Sequence, residues 1–235
     1  ETTKILLTST IKYDEKATTK TATTLKSDIL TTLTNYNTDT LSQFDGVFRY
    51  SKITGLIDGS DSSILSNITT LKIRKDFTPT LASSTKYSIY FRNALYNPHS
   101  GHNATAGGIL ESSGFKVTGD STTIFYLDDD GQGNVRRYSF SGATRVYANT
   151  TQGTIDYDTG AIILNSLSVL SVENIRGAAS SKIELTVTPF SNDVVPVRDQ
   201  ILEIDTANSS ITVAADTFVG GSADAGVGYT TTSSY

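Results

Sequence analysis

The sequence predicts an α+β fold: a small strand-helix-helix-strand module followed by a mainly antiparallel β domain, sandwich or barrel-like. Three observations carry this reading. Apolar residues recur at helical spacing only ahead of Gly59. Short alternating segments punctuated by turn residues fill the rest. Thr and Ser are abundant, with 18 Gly but only 4 Pro; the β-branched side chain of Thr suits strands, and small hydroxyl residues suit turns. The expected division is a module over 1–76, a β domain over 77–219 and a flexible tail over 220–235.

The elements follow in order. Lys4 to Tyr13 (KILLTSTIKY) reads as a strand. In the next segment Leu25, Ile29, Leu33 and Tyr36 step by four, four and three, one apolar stripe on a helix, with Thr18 or Thr19 placed to cap it. Leu41 and Phe44 extend it by a second, shorter turn. Tyr50 to Asp58 (YSKITGLID) sets Tyr50, Ile53, Leu56 and Ile57 on one side of a short helix that Gly59 ends. Ile64 to Arg74 (ILSNITTLKIR) returns as a strand that can lie beside the first, with the helices over one face. Asp76-Phe77-Thr78-Pro79 marks a boundary, because proline lacks an N–H and restricts its neighbour.

Beyond it the pattern is β. Lys86 to Arg92 alternates, Asn97 to Gly108 is a polar loop, and Ile109 to Val117, Thr123 to Leu127 and Val135 to Phe140 read as strands, with Thr144 to Tyr147 a weaker one. Gly153 to Leu164 (GTIDYDTGAIIL) is a hairpin whose Asp158-Thr159-Gly160 turn offers a glycine for positive φ. Lys182 to Thr188, Gln200 to Asp205 and Ser210 to Ala214 complete the set. From Gly220 the chain is GGSADAGVGYTTTSSY, a flexible tail by composition.

Composition narrows the function. The 235 residues include no Cys, so disulfide and thiolate chemistry are excluded, and no Trp or Met. An opening on Glu1 rather than Met reads as a fragment or a processed chain, and leaves open whether Glu1 is a natural end. Net charge is −5 with no dense Lys/Arg cluster, which argues against a nucleic-acid partner. The apolar runs are too short for membrane insertion. Twelve Tyr and nine Phe supply rigid groups for sheet faces and interfaces. The balance suits an extracellular or particle-associated β protein better than a metabolic enzyme.

The densest chemical stretch is FYLDDDGQGNVRRYSF, Phe125 to Phe140. Counted from Asp128 it places Asp130, Gln132 and Asn134 at alternate positions with Gly133 sixth, as a calcium loop requires. The twelfth position is Ser139 rather than Glu, and the flanks read as strands, not helices. The stretch therefore reads as a wide hairpin loop, DDDGQGN, between two strands, although an ion at Asp128 to Asp130 is left open. His99 and His102 in PHSGH are three apart, close enough to share a metal, but no acidic residue stands next to them, so they read as surface-loop histidines. Glu111, Glu173, Glu184 and Glu203 are available for paired-carboxylate chemistry, yet no spacing pairs them. Asp156 and Asp158 flank a hairpin tip. There is no Gly-x-Ser-x-Gly elbow, P-loop or dinucleotide fingerprint, so no catalytic residue, metal ligand or cofactor is assigned. Asn67, Asn103, Asn149 and Asn208 head sequons that chance explains in so Thr-rich a chain. Asp193 to Asp199 (DVVPVRD) sets a proline among β-branched residues between charges, a guarded edge or a crossing between strands.

Three blocks carry a resemblance. Leu41 to Leu81 holds a Phe-x-x-x-Phe-Arg-Tyr-Ser helix start followed by Asp-x-Ser-Ile-x-Ser-Asn ahead of a strand. The second block is the GTIDYDTGAI hairpin, and the third is LTVTPFSNDVVPVRDQILEID, Leu185 to Asp205. In this order they resemble the C-terminal portion of the baseplate wedge protein of T-even-type contractile-tailed bacteriophages. The resemblance implies a structural virion protein of the tail baseplate, present in the host cytoplasm during assembly and not an enzyme. It also implies a small α+β module followed by β structure. It further implies that the copies pair as a homodimer, linking wedges into a ring around the hub, with other wedge and hub proteins as partners. The alternative reading is a carbohydrate-binding or adhesin β module, which the absence of Trp disfavours.

Overall fold

The computed structural model describes residues 1–43, 45–102, 108–197 and 200–217. Strand β1 (Thr2–Tyr13) alternates strictly: Thr3, Ile5, Leu7, Ser9, Ile11 and Tyr13 are buried, while their neighbours face outward. It pairs antiparallel with β2 (Ile64–Phe77) in a register that sets Ile5 opposite Ile73, Leu7 opposite Leu71 and Ser9 opposite Thr69. The two hydroxyls of that last pair bond at 2.9 Å, so the polar pair inside the sheet is satisfied.

Helix α1 (Ala22–Tyr36) buries Leu25, Ile29, Leu33 and Tyr36, the stripe read from spacing. Its cap is Thr21, whose Oγ1 accepts from the Thr24 N–H at 3.2 Å, rather than Thr18 or Thr19. The helix starts at Ala22, and only the residue just ahead of it can reach the orphan donors. A π turn over Asn37–Leu41 follows and buries Leu41; Phe44 lies outside the described residues. Helix α2 (Tyr50–Asp58) buries Ile53 and Ile57. Gly59 closes it at φ −78°, a right-handed conformation, so the glycine is not used as a left-handed cap.

The chain leaves this first sheet after Phe77, and among the described residues four later strands return to it. Strands β3 (Thr85–Tyr90), β5 (Phe115–Val117), β6 (Asp120–Asp129), β7 (Asn134–Ser141), β8 (Thr144–Asp156), β9 (Ala161–Leu167) and β10 (Val169–Val172) form an antiparallel second sheet in the order β10-β5-β6-β7-β8-β9-β3. Its edges approach one another where Leu81 bridges Val169, and the Ala82 N–H donates to the Val169 carbonyl at 2.7 Å, which curves the sheet into a half-barrel. The two-residue β4 (Glu111–Ser112) and β11 (Ile183–Val187) join the first sheet beside β2. The strands β12 (Ile201–Ile204) and β13 (Ser210–Ala215) both run parallel to β1 along its other edge.

Two strand expectations are corrected, and one strand is added. Ile109 to Val117 is not one strand: β4 and β5 belong to different sheets, and the chain crosses between them at Gly114, where an added Cβ would meet Ile124 Cγ2 at 2.8 Å. The weak candidate Thr144 to Tyr147 is the start of the 13-residue β8, held by its pairing with β7 and not by any apolar alternation of its own. The strand β10 was not anticipated.

A single cluster of buried side chains, from Ile5 to Ile211, joins both sheets and the helices. At its margin Arg74 is only 2 % exposed, with Asp76 and Asp205 each at 3.0 Å and Glu184 at 3.4 Å. Burial of a guanidinium is tolerable only with such company. The Asp205 carboxyl is pushed up by burial but held below its usual range by the Asn208 amide and the charges of Arg74 and Lys4.

Candidate assembly surface and the acidic hairpin

The acidic stretch is narrower as a loop than expected. Asp128 and Asp129 are strand residues opposite Arg136 and Val135, leaving 130–133 as the connection. Alternation sends the three carboxylates different ways. Asp128, 1 % exposed, faces the outer side of the half-barrel. It accepts from Arg136 at 2.9 and 3.2 Å, from Arg145 at 2.6 Å and from the Tyr147 hydroxyl at 2.9 Å. Asp129, fully buried, points inward and accepts from the N–H groups of Ile109 and Leu110 at 2.6 and 2.8 Å and from the Tyr157 hydroxyl at 2.5 Å. Burial, and then that bond, push the Tyr157 phenol far above its ordinary value. Asp130 takes the N–H groups of Gln132 and Asn134 and the Asn134 amide at 2.8, 2.9 and 2.6 Å, closing the turn. Every carboxylate is engaged by the chain's own donors, so the stretch builds shape.

The outer side of the half-barrel carries a layer of rings. Tyr126 and Tyr138, opposite one another on β6 and β7, stack with centroids 5.7 Å apart. Tyr147 and Phe140 extend the layer, at 5.8 and 5.4 Å from Tyr138. Guanidinium groups lie on it: Arg145 is 4.6 Å from the Tyr138 ring and Arg136 is 4.3 Å from the Tyr147 ring, both anchored by Asp128. Past this layer the β7–β8 hairpin leaves the body of the protein. From Phe140 to Ala148 every residue but Arg145 is exposed, so both hairpin faces meet solvent. Phe140 and Val146 remain 50 % and 49 % exposed.

The other candidates fall into place around this arm. Glu111, Glu173 and Glu184 line one open cleft with Tyr126 and Arg176, a convergence no spacing announced. Each is matched by a cation, Lys72 at 2.9 Å, Lys116 at 3.5 Å and Arg176 at 2.6 Å. Glu203 lies elsewhere, beside Lys4 and Lys75. Asp156 serves its turn, accepting from the Asp158 and Thr159 N–H groups at 2.9 and 3.2 Å, and Gly160 takes φ +68° against Asn93. Of the sequons, Asn67 donates to Asp58 and to the Thr54 carbonyl, Asn149 closes a turn to Thr151, and Asn208 binds Asp205; Asn103 lies outside the described residues.

Asp193 has a role the sequence did not announce. Its Oδ1 accepts from the Tyr50 N–H at 2.9 Å and its Oδ2 pairs with Arg49 at 2.8 Å, capping α2 from a distance of 143 residues. Val194 then bridges Phe48, so DVVPV docks against the start of α2 as a crossing segment; Arg198 and Asp199, like the 220–235 tail, lie outside the described residues. His99 and His102 are brought together in a tight turn. Among the described residues, no group of three His, Asp or Glu side chains is placed to hold a metal, and no helix is long and apolar enough to cross a membrane.

Residues 4–76 match the family model of the baseplate structural protein gp6, C-terminal domain III. The match spans β1, α1, α2 and β2, the strand-helix-helix-strand unit, and ends where the chain leaves the first sheet. The GTIDYDTGAI and Leu185–Asp205 blocks lie beyond it. No curated protein matches the chain. Over residues 4–76 the chain therefore carries a domain similar to domain III of the baseplate structural protein gp6, and that match points to a structural role in a phage tail baseplate.

Proposed function

We propose that the chain pairs with a second copy of itself, and that such pairs link neighbouring wedges into a ring around the tail hub. The observation that carries this reading is the exposed β7–β8 arm, which presents Phe140 and Tyr147 on one face and Val146 on the other, backed by an ordered Tyr–Arg layer. Tyr and Arg are among the residue types enriched at contact hot spots, and here Asp128 already holds Arg136 and Arg145 against the rings. A twofold, self-complementary contact is the commonest closed arrangement of identical chains. In this reading 1–76 is the baseplate module, 77–219 presents the arm, and 220–235 is a tail. Wedge and hub proteins are the further partners.

The test is the mass of the purified chain by light scattering across concentration, with Phe140→Asp and Val146→Asp as variants. The expected result is a dimer that both variants weaken while each variant still unfolds cooperatively and keeps the parent's secondary structure. A strict monomer at high concentration, together with a particle structure in which no two copies touch, ends the proposal.

One observation favours a second reading, saccharide binding: Tyr126 walls a polar cleft that also holds Glu111, Glu173, Asn174 and Arg176. Glycan-array binding that is lost in Tyr126→Ala would support it.

A further inference from the structure

We propose that His99 and His102 form a two-imidazole site for a late first-row divalent cation such as Zn2+ or Ni2+. The site is independent of how the chain assembles.

The geometry starts with the turn. The His102 N–H donates to the His99 carbonyl at 3.0 Å, and Gly101 holds φ +78°, the conformation such a turn needs at its third residue. The turn is fastened to the acidic hairpin, because the Gly131 carbonyl accepts from the Gly101 N–H at 2.8 Å and from the Asn97 amide at 3.2 Å. The Tyr96 ring meets His102 edge-on at 5.4 Å and stacks on Phe190 at 6.4 Å.

These constraints bring His99 Nε2 and His102 Nδ1 to 3.1 Å, with the ring planes at 87°. Two nitrogens bound to one tetrahedral zinc, each about 2.0–2.1 Å from it, lie roughly 3.3 Å apart. The rings thus stand close to the separation that shared ligation requires.

Protonation agrees. His99 Nδ1 lies 3.3 Å from the Ser100 carbonyl. With Nδ1 donating to that carbonyl, which can only accept, Nε2 is the nitrogen left to present a lone pair toward His102. A second nitrogen donating to a backbone carbonyl is the usual support of a ligating histidine. In the metal-free chain His102 Nδ1–H donates to that lone pair. On binding, the cation replaces the shared proton, which moves to His102 Nε2. Imidazole suits these cations, and water completes the coordination. Among the described residues no third His, Asp or Glu joins the pair.

The experiment titrates the full chain, in a non-chelating buffer, with Zn2+ and separately with Ni2+, followed by calorimetry and by 15N shifts of the imidazole nitrogens. The expected result is one cation per chain, with His99 Nε2 and His102 Nδ1 shifted and His99 Nδ1 still protonated. His99→Ala and His102→Ala each weaken binding by about tenfold or more. Gly101→Ala gives the same direction: the space around it is open, and only the backbone is strained. Metal-free melting of the histidine variants should match the parent, which separates ligand loss from unfolding. The absence of saturable binding, or binding that survives both histidine variants, overturns the site.

Discussion

The Tyr157 hydroxyl donates to the buried Asp129 carboxylate at 2.5 Å, joining the turn after β8 to the end of β6. The same carboxylate also holds the amides of Ile109, Leu110 and Gly131. Tyr157→Phe removes one of several donors and should cost ~1.5–3 kcal/mol, the usual worth of a hydrogen bond to a charge. Asp129→Ala strands buried amides and should cost more, about 3 kcal/mol or above. Urea unfolding of both variants and the double variant checks the coupling; equal costs for the two single variants would contradict this account.

Ile29→Asp sets an unpaired charge in the core beneath α1, where Ile29 is fully buried. The loss should reach at least ~3 kcal/mol. A thermal melt showing no loss would refute the packing of that helix.

Asp193→Ala should loosen the start of α2, which Arg49 does not cap through its own side chain. A lost cap costs about 1 kcal/mol. Amide exchange at Tyr50, Lys52 and Ile53 should quicken while that of α1 stays unchanged.

Calcium should leave the melting temperature unchanged, and so should a calcium-selective chelator. Asp128, Asp129 and Asp130 already accept from arginines, amides and tyrosines, and a cation would have to displace them. A ligand that binds only the native state must raise its stability, so a clear rise with calcium would count against the hairpin described above.

Acid should destabilise the fold over a definite window. The hydrogen bond from Lys20 holds Asp61 down to about 2, and Asp120, Asp130, Asp193 and Asp205 also lie below the usual range. Their folded values are below the unfolded ones. The stabilisation is therefore complete above about pH 4. It is lost as pH falls toward 2, the folded value of Asp61. Urea midpoints measured down this range should drop, and Asp61→Asn should flatten part of the slope.

Much of the fold was legible because its signals are local. The Leu25–Ile29–Leu33–Tyr36 stripe repeats at the pitch of a helix, and the Gly153–Leu164 hairpin announces its turn within a few residues. What escaped notice depends on partners far along the chain. Asp193 is unremarkable in its own neighbourhood and becomes a cap only where Tyr50 arrives. The polar residues of β8 show no alternation, so only β7 reveals them as a strand. Glu111, Glu173 and Glu184 share a cleft because two sheets meet beside them. The DDDGQGN stretch reads as a connection between strands, but its first two carboxylates belong to the strand, where arginine and backbone donors make their burial tolerable.

The parallel return of β12 and β13 to β1 also sets a clock on synthesis. The Leu7 N–H finds its acceptor on the Ser209 hydroxyl, 202 residues later. At ~5–20 residues per second, the ribosome needs on the order of 10–40 s to join them. Through that interval β1 has β2 on one side and an unpaired edge on the other, the kind of edge that recruits foreign strands. A polypeptide released before its final strands therefore cannot close its first sheet, and the growing particle receives a finished baseplate unit only from translation carried past Ala215.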